Sequence, residues 1–306
     1  MPATTAYRLF DMTLKRRAQI SPSMVNLTFT ANDLDIATTF APDQRVKLFF
    51  PAGDQTDAGM AARFADEDDW YCAYRHMAPE QRPPMRTYTI RAVRPERKEL
   101  DIEFVLHGDT GPASRWASNA RPGDALSIHA PNVHYDGKAI GCEWRPPANI
   151  EHLLLVADET ALPAAMGIIE ELDARFAGDS RPRVQALLEV PLKADCRATP
   201  QWIDAVWLPR EETRCGHGEG LSRAVRTLAL EPPSPSPSSS SELAIDIDEE
   251  ILWEVSDPES DDRFYAWIAS ESRVCLNIRR YLMEELSVPK RQISAMGYWR
   301  EGKSHP

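Results

Sequence analysis

The stretch HLLLVADETALPAAMGIIEELDARF, residues 152–176, decides the fold of the second half of the chain. Its first five residues form a short apolar run, which is typical of a buried strand. Apolar side chains then recur at helical spacing over residues 161–176. A buried strand followed directly by a helix predicts a parallel sheet that is covered by helices on both faces.

The same alternation continues toward the C-terminus. Further strands are predicted at 184–190, 205–208, 264–269 and 292–298, and further helices at 221–230 and 271–286. We therefore expect an α/β nucleotide-binding domain over residues 147–306. A Ser/Pro-rich insertion at 231–242 has the composition of a flexible segment without chemistry of its own.

The first half has a different pattern, because short β-branched and aromatic runs are separated by Pro, Gly, Asn and Asp. Six strands are predicted, at 7–15, 24–30, 45–50, 87–93, 100–106 and 125–129. They favour a small antiparallel β-barrel over residues 1–146, interrupted by one helix that begins near Pro112. Residues 52–84 form a long connection between two strands, of a length that is often functional or disordered.

Composition excludes several classes of protein. The formal net charge of −12 argues against a nucleic-acid binder, and no apolar run is long enough to cross a membrane. The N-terminus does not have the pattern of a secretory signal, so we expect a cytoplasmic protein, and a monomer. Five scattered cysteines predict neither a zinc site nor an iron–sulfur cluster. Residues 75–98 are locally basic, which suits an anionic ligand or a solvated charged face.

The motif MRTYTIR, residues 85–91, carries the strongest chemical signal. Arg86 could bind a phosphate through two nitrogens, Tyr88 offers a flat face to a ring system, and Thr89 could bond the edge of that ring. Strand alternation places Arg86 and Tyr88 on one side and Thr89 on the other, so only a rim or bulge would let all three reach one ligand. Without a ligand, the motif is simply a strand.

A second signal is the glycine-containing turn in HGDTGPASRW, residues 107–116. It precedes a helix N-terminus, where free amides and the helix dipole favour a pyrophosphate. An ordinary capped helix would show the same pattern.

Four motifs in this order, MRTYTIR, HGDTGPASRWASNARPGD, ADETALPA and MGYWREG, resemble those of the siderophore-interacting proteins. The resemblance covers residues 7–302 apart from the insertion. It implies the ferredoxin-reductase-like fold, an FAD-binding barrel before an α/β nucleotide domain, and the reduction of ferric siderophores. No general acid, base or nucleophile is expected, since the flavin carries the chemistry.

The resemblance also implies roles for individual residues. The flavin would be held by Arg86, Tyr88 and Thr89, and its ribityl and pyrophosphate side by His107, Thr110, Gly111, Ala113 and Ser114. Asp158, Glu159 and Thr160 would face the flavin from the second domain; without the resemblance, Thr160 is a helix N-cap and Asp158 a loop residue. The ferric siderophore would be bound by Lys47, Arg300, Lys303 and His305.

Two positions depart from the family pattern, because Ala157 and Ser270 stand where relatives often have glycine. Glycine lets a backbone approach a phosphate closely. Because these two glycines are absent, NADH, NADPH and reduced ferredoxin all stay open as electron donors. Two other functions remain open. One is a flavin reductase of the same superfamily with a protein acceptor, and the other is a non-catalytic siderophore- or flavin-binding protein.

Overall fold

The computed structural model describes residues 5–52, 55–67, 69–106, 108, 111–230, 252–257 and 262–302. The chain divides into two compact units, and the division falls between Cys142 and Glu143. Each unit has its own sheet and its own apolar core. Within these residues, no helix is both long enough and apolar enough to cross a membrane.

The first unit is built on one seven-stranded antiparallel sheet in the order β4-β3-β7-β1-β2-β6-β5. The strands are β1 Tyr7–Ser21, β2 Met24–Thr30, β3 Arg45–Phe49, β4 Met85–Thr89, β5 Ala92–Arg94, β6 Glu99–Val105 and β7 Ala125–Pro131. Its helices are α1 Met60–Arg63, α2 Trp70–His76 and α3 Pro112–Asn119. Single 3₁₀ turns lie at Leu34–Ile36 and Pro95–Arg97. The antiparallel half is confirmed, with one strand more than expected.

The extra strand arises because the run predicted at 87–93 is two strands. β4 is one edge of the sheet and pairs with β3, whereas β5 is the other edge and pairs with β6. Only Ile90 and Arg91 separate them in the chain, and their amides donate to the carbonyls of Gln44 and Asp101. The two edges are therefore joined by two residues, which curls the sheet.

The connection at 52–84 contains α1 and α2 and packs on the outer face of the sheet. Met60 and Tyr74 from this segment form a small apolar cluster with Phe49 and Met85. Asp69 caps α2 by accepting a hydrogen bond from the amide of Cys72 at 3.0 Å. The opposite, inner face is filled by the main core and closed by α3, whose Ala117 and Trp116 pack into it.

The second unit contains a six-stranded sheet in the order β10-β9-β8-β12-β13-β11. The strands are β8 His152–Ala157, β9 Arg183–Val190, β10 Asp204–Pro209, β11 Trp253–Glu254, β12 Phe264–Glu271 and β13 Ile293–Trp299. The helices are α4 Leu162–Arg175, α5 Arg210–Thr213, α6 Glu219–Thr227 and α7 Ser272–Arg280, which continues as a π turn over Tyr281–Glu285. Single 3₁₀ turns lie at Gly178–Ser180, Lys193–Asp195 and Lys290–Gln292.

Every pairing in this sheet is parallel except that of β11, which runs antiparallel to β13. The sheet is therefore mixed, whereas the sequence pattern predicted a parallel one. β8 and β12 are central and their residues are fully buried, which explains their nearly unbroken apolar sequences. The Ser/Pro-rich insertion at 231–242 lies outside the described residues.

Candidate functional site

Strand β4 presents Arg86 and Tyr88 to the inner side of the first sheet. In the register with β3, Tyr88 lies opposite Val46 and Arg86 opposite Leu48, and both of these β3 residues belong to the core. The Tyr88 ring lies 4.4 Å from the ring of Phe104, centroid to centroid. Burial raises the pKa of Tyr88 far above its usual range, with Arg86 opposing the rise, so the phenol stays protonated and can donate.

Unlike Arg91 and Arg94 farther along the same segment, Arg86 has no acidic partner among the described residues. Its Nη1 donates to the carbonyl of Met85 at 2.8 Å, and no carboxylate among the described residues lies within ion-pair distance. By contrast, Arg91 is paired with Glu103 at 3.1 Å, and Arg94 with Glu99 and Asp101 at 2.9 and 2.7 Å. The locally basic segment is thus partly neutralised, and Arg86 retains its charge for an anionic ligand.

The N-terminus of α3 offers backbone amides without a capping side chain. Its cap residue is Gly111, no side chain accepts from the first turn, and Pro112 occupies the first position. A Cβ atom added at Gly111 would meet no atom of the described residues within 4 Å. These features fit the pyrophosphate of FAD. His107 and Thr110, predicted to line the same region, lie outside the described residues.

Thr89 and Lys47 lie on the other face of the sheet from Arg86 and Tyr88. Thr89 is buried opposite Arg45, and Lys47 lies opposite Thr87, whose hydroxyl accepts from its Nζ at 2.7 Å. The side chain of Thr89 therefore does not share a face with Tyr88, as the alternation predicted.

Lys47 also neighbours His129 across the pairing of β3 with β7. Burial, followed by the charge of Arg45, lowers the pKa of Lys47. Burial, followed by the charge of Lys47, lowers the pKa of His129 to about 4. At neutral pH, His129 is therefore uncharged, and Lys47 supplies the positive charge of this pair.

In the second unit, Asp158 joins three strand ends by internal hydrogen bonds. One carboxylate oxygen accepts from the amide and hydroxyl of Thr160 and from the amide of Ala161. The other accepts from the Ser270 hydroxyl, the Glu271 amide and the Trp299 indole. Burial, and then the Glu159 carboxylate, raise the pKa of Asp158, while bonds from Thr160 and Trp299 oppose that rise.

The hydrogen bonds of Asp158 show that the start of α4 is not capped by Thr160. The helix cap is Ala161 rather than Thr160, and Asp158 rather than Thr160 supplies the side chain that accepts the amides. Ser270, which stands in place of a family glycine, uses its hydroxyl to hold Asp158 at 3.0 Å. Ala157 is fully buried at the end of β8. Of the two departures from glycine, Ser270 thus contributes a hydrogen bond that glycine could not make, whereas Ala157 adds only a buried methyl group.

Glu159 lies beside a cationic pair that the sequence analysis missed. The Arg210 guanidinium contacts both of its oxygens, at 2.7 and 2.8 Å, and His217 Nε2 lies 3.1 Å from Oε1. Burial opposes ionisation of Glu159, but the bonds from His217 and Arg210 outweigh it and lower its pKa to about 2. Glu189, at the end of β9, contacts the same arginine at 3.1 Å.

One sequence signal could have found these residues. Glu189 is the second-last residue of β9 and Arg210 directly follows β10, so both lie at the carboxyl ends of parallel strands, where functional groups gather. Of the predicted C-terminal basic residues, Arg300 is half-buried just after β13, and Lys303 and His305 lie outside the described residues.

A curled antiparallel sheet followed in the chain by a mixed α/β sheet defines the ferredoxin-reductase-like class of proteins. Residues 13–135 match the siderophore-interacting FAD-binding domain, and residues 150–302 match the siderophore-interacting protein model. The chain therefore belongs to the siderophore-interacting protein family.

Several relatives match nearly the whole length of the chain. The ferric vibriobactin reductase ViuB of Vibrio cholerae is 25% identical over 302 residues, which cover 97% of this chain and 90% of ViuB. The NADPH-dependent ferric-chelate reductase of Escherichia coli is 28% identical, with 95% and 93% covered. The crystal structure of the siderophore-interacting protein SipS from Aeromonas hydrophila is 27% identical, with a TM-score of 0.66 and 98% and 94% covered.

Proposed function

We propose that this protein reduces ferric siderophores and that FAD carries the electrons. The observation that carries this proposal is that Arg86, beside Tyr88 on β4, has no acidic partner among the described residues. Helix α3, which packs against the core of the same sheet, has no side-chain cap at its N-terminus. A guanidinium, an aromatic face and free amides are the groups that a flavin dinucleotide requires. Relatives named as ferric-siderophore and ferric-chelate reductases support the reaction.

When bound, FAD accepts a hydride and passes on single electrons, which Fe(III) requires. The residues of this chain bind and orient. Arg86 and the amides of Ala113 and Ser114 would hold the phosphates, and Tyr88 would provide an apolar face with a protonated phenol. Reduction to Fe(II) weakens the binding of hard oxygen ligands, so the chelate releases the metal.

We assign FAD to residues 1–146 and a nicotinamide donor to residues 147–306, with reduced ferredoxin as the other donor to be tested. Lys47 is the proposed contact for the anionic chelate, together with Arg300, Lys303 and His305. All five cysteines are free in the structure, which suits the reducing cytoplasm. We propose a monomer.

The test is an anaerobic spectroscopic titration of the purified protein. A flavin absorbance spectrum is expected first, and it should bleach when NADH, NADPH or reduced ferredoxin is added. Adding a ferric catecholate or a ferric hydroxamate should restore the oxidised spectrum while a ferrous-specific chelator reports Fe(II). Bound flavin that no donor bleaches would contradict reductase activity and leave a non-catalytic binder.

A further inference from the structure

A compact group of four ionisable residues lies at the carboxyl edge of the second sheet, and only one of them, Glu159, was expected to face the flavin. Glu159 follows β8, Glu189 is the second-last residue of β9, Arg210 begins α5 after β10, and His217 lies in the turn before α6. The side chains of Glu159 and Glu189 are 0% and 1% exposed, so both carboxyl groups are removed from water. We call these four residues the edge cluster.

The charges of the edge cluster do not balance without a bound proton. Arg210 supplies one positive charge, and it is shared between the two carboxylates. If His217 is neutral, one negative charge stays uncompensated in the interior, which is costly. One proton on His217, or on Glu189, makes the cluster neutral.

The geometry shows where that proton belongs. His217 Nε2 lies 3.1 Å from Glu159 Oε1, and Nδ1 lies 3.6 Å from Glu189 Oε1. The Glu189 Oε1 atom already accepts from the amide of Gly218 at 2.8 Å. The buried Oε2 of Glu189 and the buried Nδ1 of His217 have no hydrogen-bond partner among the described residues. Either of these two atoms can therefore bind one proton without giving up a hydrogen bond.

Other groups around His217 complete the electrostatic setting. Asp158 adds negative charge from the β8 side, and the ring of Trp299, from β13, meets the imidazole edge-on at 4.8 Å. On the turn that carries His217, Glu219 accepts from the amide of Gly216 at 2.9 Å and does not contact the imidazole. The positive charge that opposes protonation is that of Arg210.

We propose that the edge cluster is a proton-binding site that holds one proton between His217 and Glu189, and that this proton fixes the turn before α6 against the sheet edge. Two contacts connect the proton with the turn, since His217 reaches Glu159 and the neighbouring Gly218 amide reaches Glu189. Loss of the proton would leave the turn next to two carboxylates with only Arg210 to balance them.

The titration behaviour of the two proton acceptors agrees with this geometry. Burial disfavours the charged imidazole, but the bond with Glu159 and its charge outweigh burial and raise the pKa of His217. Burial raises the pKa of Glu189 as well, with the Gly218 amide and Arg210 opposing. Because the histidine pKa is raised on folding, its stabilisation is complete below about pH 6.5 and is lost as the pH rises through the folded value.

The test follows the His217 imidazole by two-dimensional ¹H–¹⁵N NMR across a pH titration of the full chain. His217→Gln identifies the resonance by its disappearance. Glu189→Gln removes one of the two carboxylates, so the midpoint for His217 should move to lower pH. Glu219→Gln, on the same turn, is the matched control and should leave the midpoint unchanged. A midpoint that is equal in Glu189→Gln and the parent would overturn the proposal.

A second measurement decides the question even if Glu189→Gln does not fold. The free energy of unfolding of the parent should fall as the pH rises through the His217 titration, and His217→Gln should lack that component. Equal pH dependence in the two proteins would overturn the proposal. Neither measurement involves a siderophore or an electron donor, so the result does not depend on the proposed reductase activity.

Discussion

Replacing Asp158 tests the view that its carboxylate is a structural junction rather than a ligand contact. The carboxylate accepts six hydrogen bonds, from Thr160, Ala161, Ser270, Glu271 and Trp299. In Asp158→Ala, the rotatable hydroxyls of Thr160 and Ser270 lose this acceptor, while the Ala161 amide keeps the backbone carbonyl of residue 158 at 3.1 Å. The Glu271 amide, the Trp299 indole and the Thr160 amide lose their carboxylate acceptor.

These losses set the expected magnitude. An unsatisfied buried donor costs about 1–3 kcal/mol, and removal of the buried charge offsets part of the sum, so we expect a loss of about 4 kcal/mol. For a unit of this size, about 2–4 °C of melting temperature corresponds to each kcal/mol, which predicts a decrease of about 8–16 °C.

The assay is thermal unfolding followed by tryptophan fluorescence, because six of the eight tryptophans lie in the second unit. Asp173→Ala is the matched control, since the exposed Asp173 also accepts a hydrogen bond from an indole, that of Trp202 at 2.7 Å. We expect the control to change stability by less than about 1 kcal/mol. Equal melting temperatures for the two variants would refute the reasoning about Asp158.

Three further predictions concern binding and acid stability. Arg86→Ala should lower FAD occupancy about tenfold or more, measured by absorbance after purification, whereas Arg97→Ala, at an exposed turn, should not. Lys47→Ala should weaken binding of a ferric siderophore, measured by quenching of tryptophan fluorescence, and leave FAD bound. Equal siderophore affinity in this variant and the parent would remove Lys47 from the site. Glu159→Gln should destabilise the protein at pH 7 but progressively less as the pH falls toward about 2, because the lowered pKa of Glu159 stabilises the fold only while this residue is ionised.

The alternation of strands and helices in the second half could be predicted because buried central strands need nearly unbroken apolar runs. β8 and β12 show this directly, since every residue in each is buried. β11 could not be predicted, because it has two residues and forms only by pairing with β13. The break between β4 and β5 could not be predicted either, since Ile90 and Arg91 are residue types that are common in strands. The break is visible only in the sheet order, where β4 and β5 lie at opposite edges.

The motif at residues 85–91 predicted which side chains of β4 share a face, but not the face on which Lys47 of β3 lies. Alternation correctly separated Arg86 and Tyr88 from Thr89, because that depends only on neighbours in one strand. The face of Lys47 depends on the register between β3 and β4, which the sequence does not reveal. That register places Lys47 with Thr87, across the sheet from Tyr88.

The edge cluster was missed for a related reason. Glu159 and Arg210 are 51 positions apart, and only the parallel order of β8, β9 and β10 brings their side chains together. No local spacing connects these residues. The useful signal was positional, namely a charged residue immediately after an apolar strand, and it was recognised at Asp158 and Glu159 alone.

The pairing of β1 with β7 also bears on how the protein is made on the ribosome. β1 is bonded along Tyr7–Thr13 to residues 125–131, so its N-terminal half has no lasting partner until residue 131 has been synthesised. Residues 7 and 131 are 124 positions apart, so at about 5–20 residues per second this delay lasts about 6–25 s. During that time, β1 can pair only with β2, through Thr13–Ser21, while the pairings of β2 with β6 and of β3 with β4 need no residue beyond 105. A nascent chain paused before β7 would expose the N-terminal half of β1 to chaperones.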